Sequence, residues 1–454
     1  MPLRAVLFIY NLLLPIFLIV SFPSFIIKGI RRGGLARNFR QRFGFYKSEV
    51  IEKLSRNGNF WIHAVSVGEI LVAEKIISAL LDREPDRNIV LTTTTTTGLK
   101  LADEKYVDSE NVTVLHNPVD VPLVTWRAIK LIRPAKLILV EAEVWPNLCR
   151  QLQKRGIPIH LVNARLSPRS EKRYLKFGNM IRPVFGMVSH VCVPFEGDFD
   201  RWSSLGIDRK NITLTRSVKF DEDEATDRPD AKIEELRTWL RENGVADDQP
   251  ILLGGSTHAG EEILLAKIWR DLQKTTPDLA LVIVPRHAER AGEIQSELEA
   301  VSIPSVLQIN RVGSSKQQGT FETAKPSNRV DSSNRPCLIA NTTGELRAWF
   351  FLADAVVIGK SITGKGGQNP VEPVMAGRPT IVGPNMQNFS GVIADLVAAE
   401  GIIQLPASDA DLLEKAIANV LSDPEKAADM AKRGQAAMEM HRGAAARTVD
   451  VILA

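Results

Sequence analysis

Cysteine is scarce in this chain: Cys149, Cys192 and Cys337 stand far apart in 454 residues, with no paired spacing. That excludes a disulfide framework and a cysteine-built metal site, and it points to a reducing compartment in which the three thiols serve packing. Charge of one sign is not in large excess either. The 57 basic and 53 acidic residues leave a net charge of +4, which gives no ground for a nucleic-acid partner. No repeat of solenoid period is present. What remains is a composition of 44% hydrophobic and 24% charged residues, that of a folded protein. At this length, two domains are expected rather than one core.

Long apolar runs are missing with one exception, "AVLFIYNLLLPIFLIVSFPSFII" from Ala5 to Ile27, interrupted by Asn11, Pro15 and Pro23. Lys28, Arg31, Arg32, Arg37, Arg40 and Arg42 follow it. An apolar run of near-spanning length with a basic flank reads as an uncleaved membrane anchor at 1–30, whose following domain stays cytoplasmic. The run is longer than a signal-peptide core and lacks a small-residue cleavage site. Crossing the bilayer and lying in one leaflet both remain open, the prolines favouring a bent, shallow insertion. A core helix is the soluble alternative.

Beyond the anchor, strand-like runs at 60–66, 88–94, 135–143, 158–164 and 190–195 alternate with amphipathic stretches such as 70–82. The acidic, turn-rich "DEDEATDRPD" at 221–230 reads as a linker, after which a second alternating series starts at 251. Strands alternating with helices imply parallel sheets covered on both faces. The expected architecture is α/β, two doubly wound Rossmann-like domains facing a cleft: 31–222, a linker and first helix at 223–249, and 250–454. The polar stretch 311–335 reads as a surface insertion. Ligands in such folds bind beyond the carboxyl ends of the strands.

Candidate functional residues fall at those ends. "SVGE" offers Ser66, Gly68 and Glu69 where a strand passes into a helix, although a glutamate there also suits a helix start. "VEAEVWPN" offers Glu141 and Glu143, two residues apart and therefore on one face if the strand persists, as general base or sugar-binding carboxylates. In the second half, Ser256 of "GGSTH" sits in a glycine turn, Arg286 of "PRH" suits bidentate phosphate pairing, and Glu345 of "GEL" could meet a nucleoside. "KGGQNPVEP" places Gly366 and Gly367 before Asn369, an expected N-cap, and Pro370, an expected first helical residue. Such a turn aims free backbone amides and a helix dipole at a phosphate. Glu372 would either close a capping box or reach a ribose. Together these residues suggest a nucleotide-sugar site.

In order, "HAVSVGE", "TTTTTTG", "VEAEVWPN", "NARLS", "SVKFD", "GSTHAGEE", "VPRHAER", "GEL", "GGQNPVEP" and "GPNMQNF" resemble the motif series of the bacterial 3-deoxy-D-manno-octulosonic acid (Kdo) transferases. The resemblance runs from the anchor to about residue 390. It implies a GT-B glycosyltransferase of lipopolysaccharide core assembly, with CMP-Kdo as donor and a lipid A precursor, lipid IVA, as acceptor. It further implies the cytoplasmic face of the inner membrane, and an inverting transfer with no cofactor and no metal. Carried over, the donor site comprises Ser256, Arg286, Glu345, Gly366, Gly367, Asn369 and Glu372, with Lys219 and Arg286 taking the leaving charge. Ser66, Gly68 and Glu69 line the acceptor side, and Glu141 and Glu143 the sugar.

Several residues depart from the family pattern. Gln41 in "NFRQRFGFY" stands where a glutamate is the expected base, and a neutral amide cannot take that proton. Glu69 is then the first choice of base. Lys360 and Arg216 stand where the family carries glycine, and Gln368 and Asn385 where it often carries histidine. Two other functions stay open: a related membrane-associated glycosyltransferase with another donor, and a catalytically weakened GT-B binding protein.

Overall fold

A computed structural model of the chain describes residues 1–31, 38–55, 58–166, 168–221, 228–308 and 335–454. They form two compact units, Met1–Asp221 with His441–Ala454, and Glu222–Met440.

In the first unit the strands are β1 (Asn59–His63), β2 (Ile89–Thr93), β3 (Val112–His116), β4 (Pro134–Val140), β5 (Ile159–Val162), β6 (His190–Val193) and β7 (Ile212–Leu214). They pair in parallel in the order β3-β2-β1-β4-β5-β6-β7. Alternate side chains feed two cores: Trp61, Leu137 and Leu139 point to one face, Phe60, Ile62, Ile138 and Val140 to the other. Burial on both faces explains why these strands read as continuous apolar runs rather than alternating ones.

The second unit repeats the plan with β8 (Ile251–Thr257), β9 (Ala280–Pro285), β10 (Ser305–Leu307), β11 (Cys337–Ile339), β12 (Ala355–Ile358), β13 (Thr380–Val382) and β14 (Ile403–Gln404). Their order is β10-β11-β9-β8-β12-β13-β14, again all parallel. In both sheets the first strand lies beside one reached by a long crossover, β1 beside β4 and β8 beside β12. The carboxyl ends of such a pair form the switch point at which doubly wound folds hold ligands.

The expected boundaries need correction. Helix Ala444–Leu453 belongs to the first unit, where Ala444, Val449 and Ile452 join the core with helix Val67–Arg83, so 250–454 is not one domain. Asp221 holds it there, its carboxylate accepting from Gly443 N at 2.7 Å and Ala445 N at 2.6 Å. Nor is 223–249 a separate connector. Residues 222–227 lie outside the described ones, and helix Asp230–Glu242 packs into the second unit through Ile233, Leu236 and an edge contact of Trp239 on Trp349. Of the polar stretch 311–335, only Arg335 is described; it is buried, donating to Asp278 O at 2.7 Å.

The apolar N-terminal run forms one helix, Leu3–Arg31, continuous through Pro15 and Pro23. Leu3–Val20 is long and apolar enough to cross a membrane. One side of it is docked on the first unit, with Val6 and Leu14 buried and Asn11 and Asn147 exchanging hydrogen bonds of 3.1 and 2.8 Å. Asn11, an interruption of the apolar run, is thus a docking residue. The opposite side presents Phe8, Leu12, Ile16 and Ile19 to solvent at helical spacing. Of the basic flank, Arg32 and Arg37 lie outside the described residues, while Arg42 is buried and donates to Thr94 O at 2.7 Å rather than forming a solvated fringe.

Candidate active site

At the β1/β4 switch point, Ser66 caps helix Val67–Arg83 and Glu69 folds back on it in a capping box. Glu69 accepts from Val65 N at 2.8 Å through Oε2 and from Ser66 Oγ at 2.9 Å through Oε1. Burial raises its pKa, the Glu141 charge adding to the effect and the hydrogen bonds opposing it. Its neighbours and its own helix aside, Gly68 has no atom of the described residues within 4 Å of where a Cβ would lie, so packing among them does not require glycine there.

Across from it, β4 ends at Val140 and Glu141 turns into the left-handed region at φ 64°. Glu141 and Glu143 therefore do not share a strand face as the spacing suggested; they sit on a loop. They are nonetheless brought to Glu69, because Glu69 feels Glu141 and Glu143 feels Glu69. Glu143 is exposed as a residue, yet desolvation of its carboxyl, with the Glu69 charge, lifts its pKa to about 7. A carboxyl poised near neutrality suits a general base.

Lys219 follows β7, its pKa lowered by burial and by Arg165, with Glu141 opposing. Beside it, Asn163, Thr215 and Ser217 bury side-chain polar atoms without a hydrogen-bond partner among the described residues. Orphaned polar atoms at strand ends are what a polar ligand would satisfy. Sequence reasoning quoted "NARLS" without singling out Asn163, whose full burial and left-handed φ of 48° appear only in the fold. Gln41 is buried, its Oε1 accepting from His116 N at 3.0 Å, so its amide extends the end of β3.

In the second unit the glycine turn is differently occupied from expectation. The amides are not free: Gly366 N donates to Gln387 Oε1, Gly367 N to Lys360 O, Gln368 N to Gly359 O and Val371 N to Asn369 Oδ1. Helix Val371–Met375 is one turn long, and Pro370 rather than Asn369 is its cap residue. Both glycines are required by the protein itself, with φ of 103° and 72° and a Cβ that would meet Asn388 Nδ2 at 2.6 Å or Met386 Sδ at 2.3 Å. Asn369 Nδ2 donates to Oε1 of an exposed Glu372 at 2.7 Å, a side-chain pair rather than the backbone contact of a capping box.

The loop after β12 is organised by a residue the sequence did not flag. Buried Glu261 accepts from His258 N at 2.9 Å, Lys360 N at 2.7 Å, Ile362 N at 3.1 Å and Thr363 N at 3.4 Å. Gln368 Nε2 lies 3.0 Å from His258 Nε2 in the same loop cluster, and Asn385 Nδ2 donates to Ile362 O at 3.1 Å. Ser256 lies at the β8 irregularity with φ 54°. Arg286 is exposed just past β9 and its guanidinium makes no ion pair or hydrogen bond among the described residues, leaving it open to an anion. Glu345 is committed, accepting from Lys232 Nζ at 3.1 Å, Gln308 Nε2 at 3.0 Å and Thr342 Oγ1.

Of the nine non-glycine residues with positive φ among those described, Glu141, Asn163, Arg216, Ser256 and Lys360 lie at or just after strand ends. Strain thus gathers on the loops that carry the candidate site. It also shows what two departures cost. Arg216 and Lys360 adopt φ of 69° and 56°, a region that favours the glycine expected there.

Residues 37–222 match the family model described as 3-deoxy-D-manno-octulosonic-acid transferase (kdotransferase). The 3-deoxy-D-manno-octulosonic acid transferase of Haemophilus influenzae is 30% identical over 412 residues, 91% of this chain and 90% of its own. That of Bordetella pertussis is 28% identical over 398 residues, 86% of each. Among solved structures, a glycosyltransferase from Rickettsia africae superposes over 88% of this chain and 97% of its own, with a TM-score of 0.54 at 13% identity, a likeness of fold.

Proposed function

Because the chain belongs to the Kdo transferase family and has its two-domain GT-B architecture, we propose that it moves Kdo from CMP-Kdo to lipid IVA, a lipid A precursor, at the cytoplasmic face of the inner membrane. The transfer inverts the anomeric carbon and uses no metal. An acceptor hydroxyl forms the new C–O bond as the bond from that carbon to the CMP phosphate oxygen breaks. The hydroxyl proton passes to a carboxylate, and CMP leaves with its charge held by cations.

The family match over 91% of the chain carries this assignment, and the choice of base rests on Glu143, with its carboxyl lifted to about 7 and its residue open to solvent at the first switch point. Glu69 was the first choice of base from sequence, but both its oxygens are engaged by Val65 and Ser66. Its charge instead keeps the Glu143 proton affinity high, which makes Glu69 a positioning residue and Glu143 the base. Glu141 and Ser66 border the acceptor sugar, and Gly68 leaves room for it. On the second unit, Arg286 takes the phosphate, while Ser256, Asn369 and Glu372 offer polar side chains to the nucleotide. Lys219, in the first unit, places a cation near Glu141. Gly366, Gly367 and Glu345 shape that site, since their polar groups already have partners.

The basic and aromatic surface of the first unit supports membrane contact. Arg127 lies over the Phe45 ring at 4.5 Å and Lys130 over Trp126 at 5.4 Å, with both rings exposed. Such pairs suit the headgroup layer beside an apolar helix.

The test is to incubate the detergent-solubilised protein with lipid IVA and CMP-Kdo generated in place, and to follow acceptor mass. Addition of Kdo is the expected result. Product only from a Gln41→Glu variant would mark a disarmed transferase, the weakened-binding alternative that Gln41 favours. No product from either would point to another donor.

A further inference from the structure

The first unit contains a cavity of about 850 Å³ between the N-terminal helix and the sheet body, in the size range of sites that hold small ligands. Its wall is almost wholly apolar. Val6, Leu13 and Phe17 come from the helix, Ile181 and Phe185 from a second helix, Gly178–Phe185, and Val144 from the loop after β4. That last contribution matters, because the same loop carries Glu141 and Glu143. Ala142, Val144 and Trp145 line the cavity, while Glu141 and Glu143 interact with Glu69.

Three residues of the wall carry polar atoms that are unfulfilled. Thr94 Oγ1, Asn117 Oδ1 and Trp145 Nε1 are buried without a hydrogen-bond partner among the described residues, and Asn117 is only 5% exposed. Buried polar atoms in this state are costly unless something pairs with them. An aliphatic chain alone would leave them unpaired. A chain joined through an amide, or bearing a hydroxyl near its head, supplies both a donor and an acceptor to such groups once it displaces the side chains that cover them.

We propose that this cavity is an acyl-chain site, and that it holds one amide-linked fatty acyl chain of the acceptor lipid. The inference rests on the acceptor assignment above and extends it to how that acceptor is held. The N-terminal helix, with its outer side apolar and exposed, forms one wall, so a chain leaving a bilayer meets the cavity without crossing water. Once seated, the chain lies against one side of the 141–145 loop and delivers the attached sugar to the other side, where the carboxylates are. Acyl recognition and proton removal are then two faces of one loop.

The test uses the full-length protein in detergent. Lipid IVA carrying a photoreactive diazirine on its amide-linked chain is irradiated without donor, and the labelled peptides are mapped. Labelling is expected within 6–18, 142–145 and 181–185. Labelling confined to other segments overturns the proposal, as does loss of labelling under excess phosphatidylethanolamine, which would make the occupant a bilayer lipid. This readout needs no turnover, so a failure of Kdo transfer bears on the functional assignment alone. As a second measure, the ratio of kcat/KM for lipid IVA to that for lipid IVA stripped of its acyl chains is expected to be about tenfold or more in the native protein. It should fall towards one in Leu13→Trp and Ile181→Trp, which fill the cavity; Leu13 is 52% exposed, so its variant has room to fold. An unchanged ratio in both variants overturns the proposal.

Discussion

Both units use a parallel sheet with a switch point beside its first strand, yet they equip that point by opposite means. The first brings side chains together: Glu69, Glu141 and Glu143 from two strand ends, with Glu69 and Glu143 partly desolvated, next to an apolar cavity. The second relies on backbone, a glycine turn whose amides are tied down by Gln387, Lys360, Gly359 and Asn369, and a loop gathered by buried Glu261. Side chains held against desolvation can change protonation during a reaction. A satisfied backbone scaffold cannot, but it fixes a shape and leaves an exposed Arg286 to meet an anion. The division suits a reaction whose proton transfer occurs at the acceptor and whose charge develops at the donor.

The largest expected effect comes from disabling the side-chain half. Glu143→Gln should lower kcat by roughly 10²–10⁴-fold with little change in KM for the donor, and should abolish the rise of kcat/KM through pH about 7 expected of the native protein. The same carboxyl holds its proton more tightly folded, at about 7, than in the unfolded chain, at 4.5, so native stability falls as pH rises through that window and the variant should flatten the slope. A loss of donor affinity equal to the loss of kcat would erase the division of labour.

Disabling the donor half should show the reverse pattern. Arg286→Ala removes a charge-assisted phosphate contact and is expected to raise KM for CMP-Kdo roughly 10–100-fold, while the pH profile keeps its position. Steady-state kinetics with both substrates varied separate the two outcomes. A shifted pH profile in Arg286→Ala would show that the halves are coupled.

The smallest effect tests what the units share. Arg216→Gly in the first and Lys360→Gly in the second relieve a left-handed backbone that costs about 1–2 kcal/mol, offset by the entropy of glycine. Each should raise the unfolding midpoint by roughly 1–4 °C. A fall in midpoint would mean that the long side chain stabilises its loop by more than the strain costs.

Much of this was legible from the sequence because it is local. Apolar runs buried on both faces announced the parallel strands, and the strand ends pointed to Glu69, Glu141, Glu143, Ser256 and Arg286 as residues beyond a sheet. The comparison of whole chains then established the family that the motif series suggested. What was not legible depends on partners distant in sequence. Nothing local in "AAARTVDVIL" says which sheet its small apolar face will cover. The glycine turn announces special backbone angles, but the residues that occupy its amides arrive from as far away as Gln387. The cavity draws its wall from six separate segments, so no window of sequence contains it. Asn163 shows the same limit, since an asparagine looks alike in sequence whether its amide is satisfied or not.

The carboxylate of Asp221, which fastens the start of the last helix to the end of the first unit, also sets a timetable. On the ribosome the N-terminal helix and all seven strands of the first sheet emerge before the helix Ala444–Leu453 that completes one of their cores. At about 5–20 residues per second, synthesis of the intervening 222–440 occupies roughly ten to forty seconds. Through that interval the core beside helix Val67–Arg83 waits incomplete, and its completion is tied to the arrival of helix Ala444–Leu453.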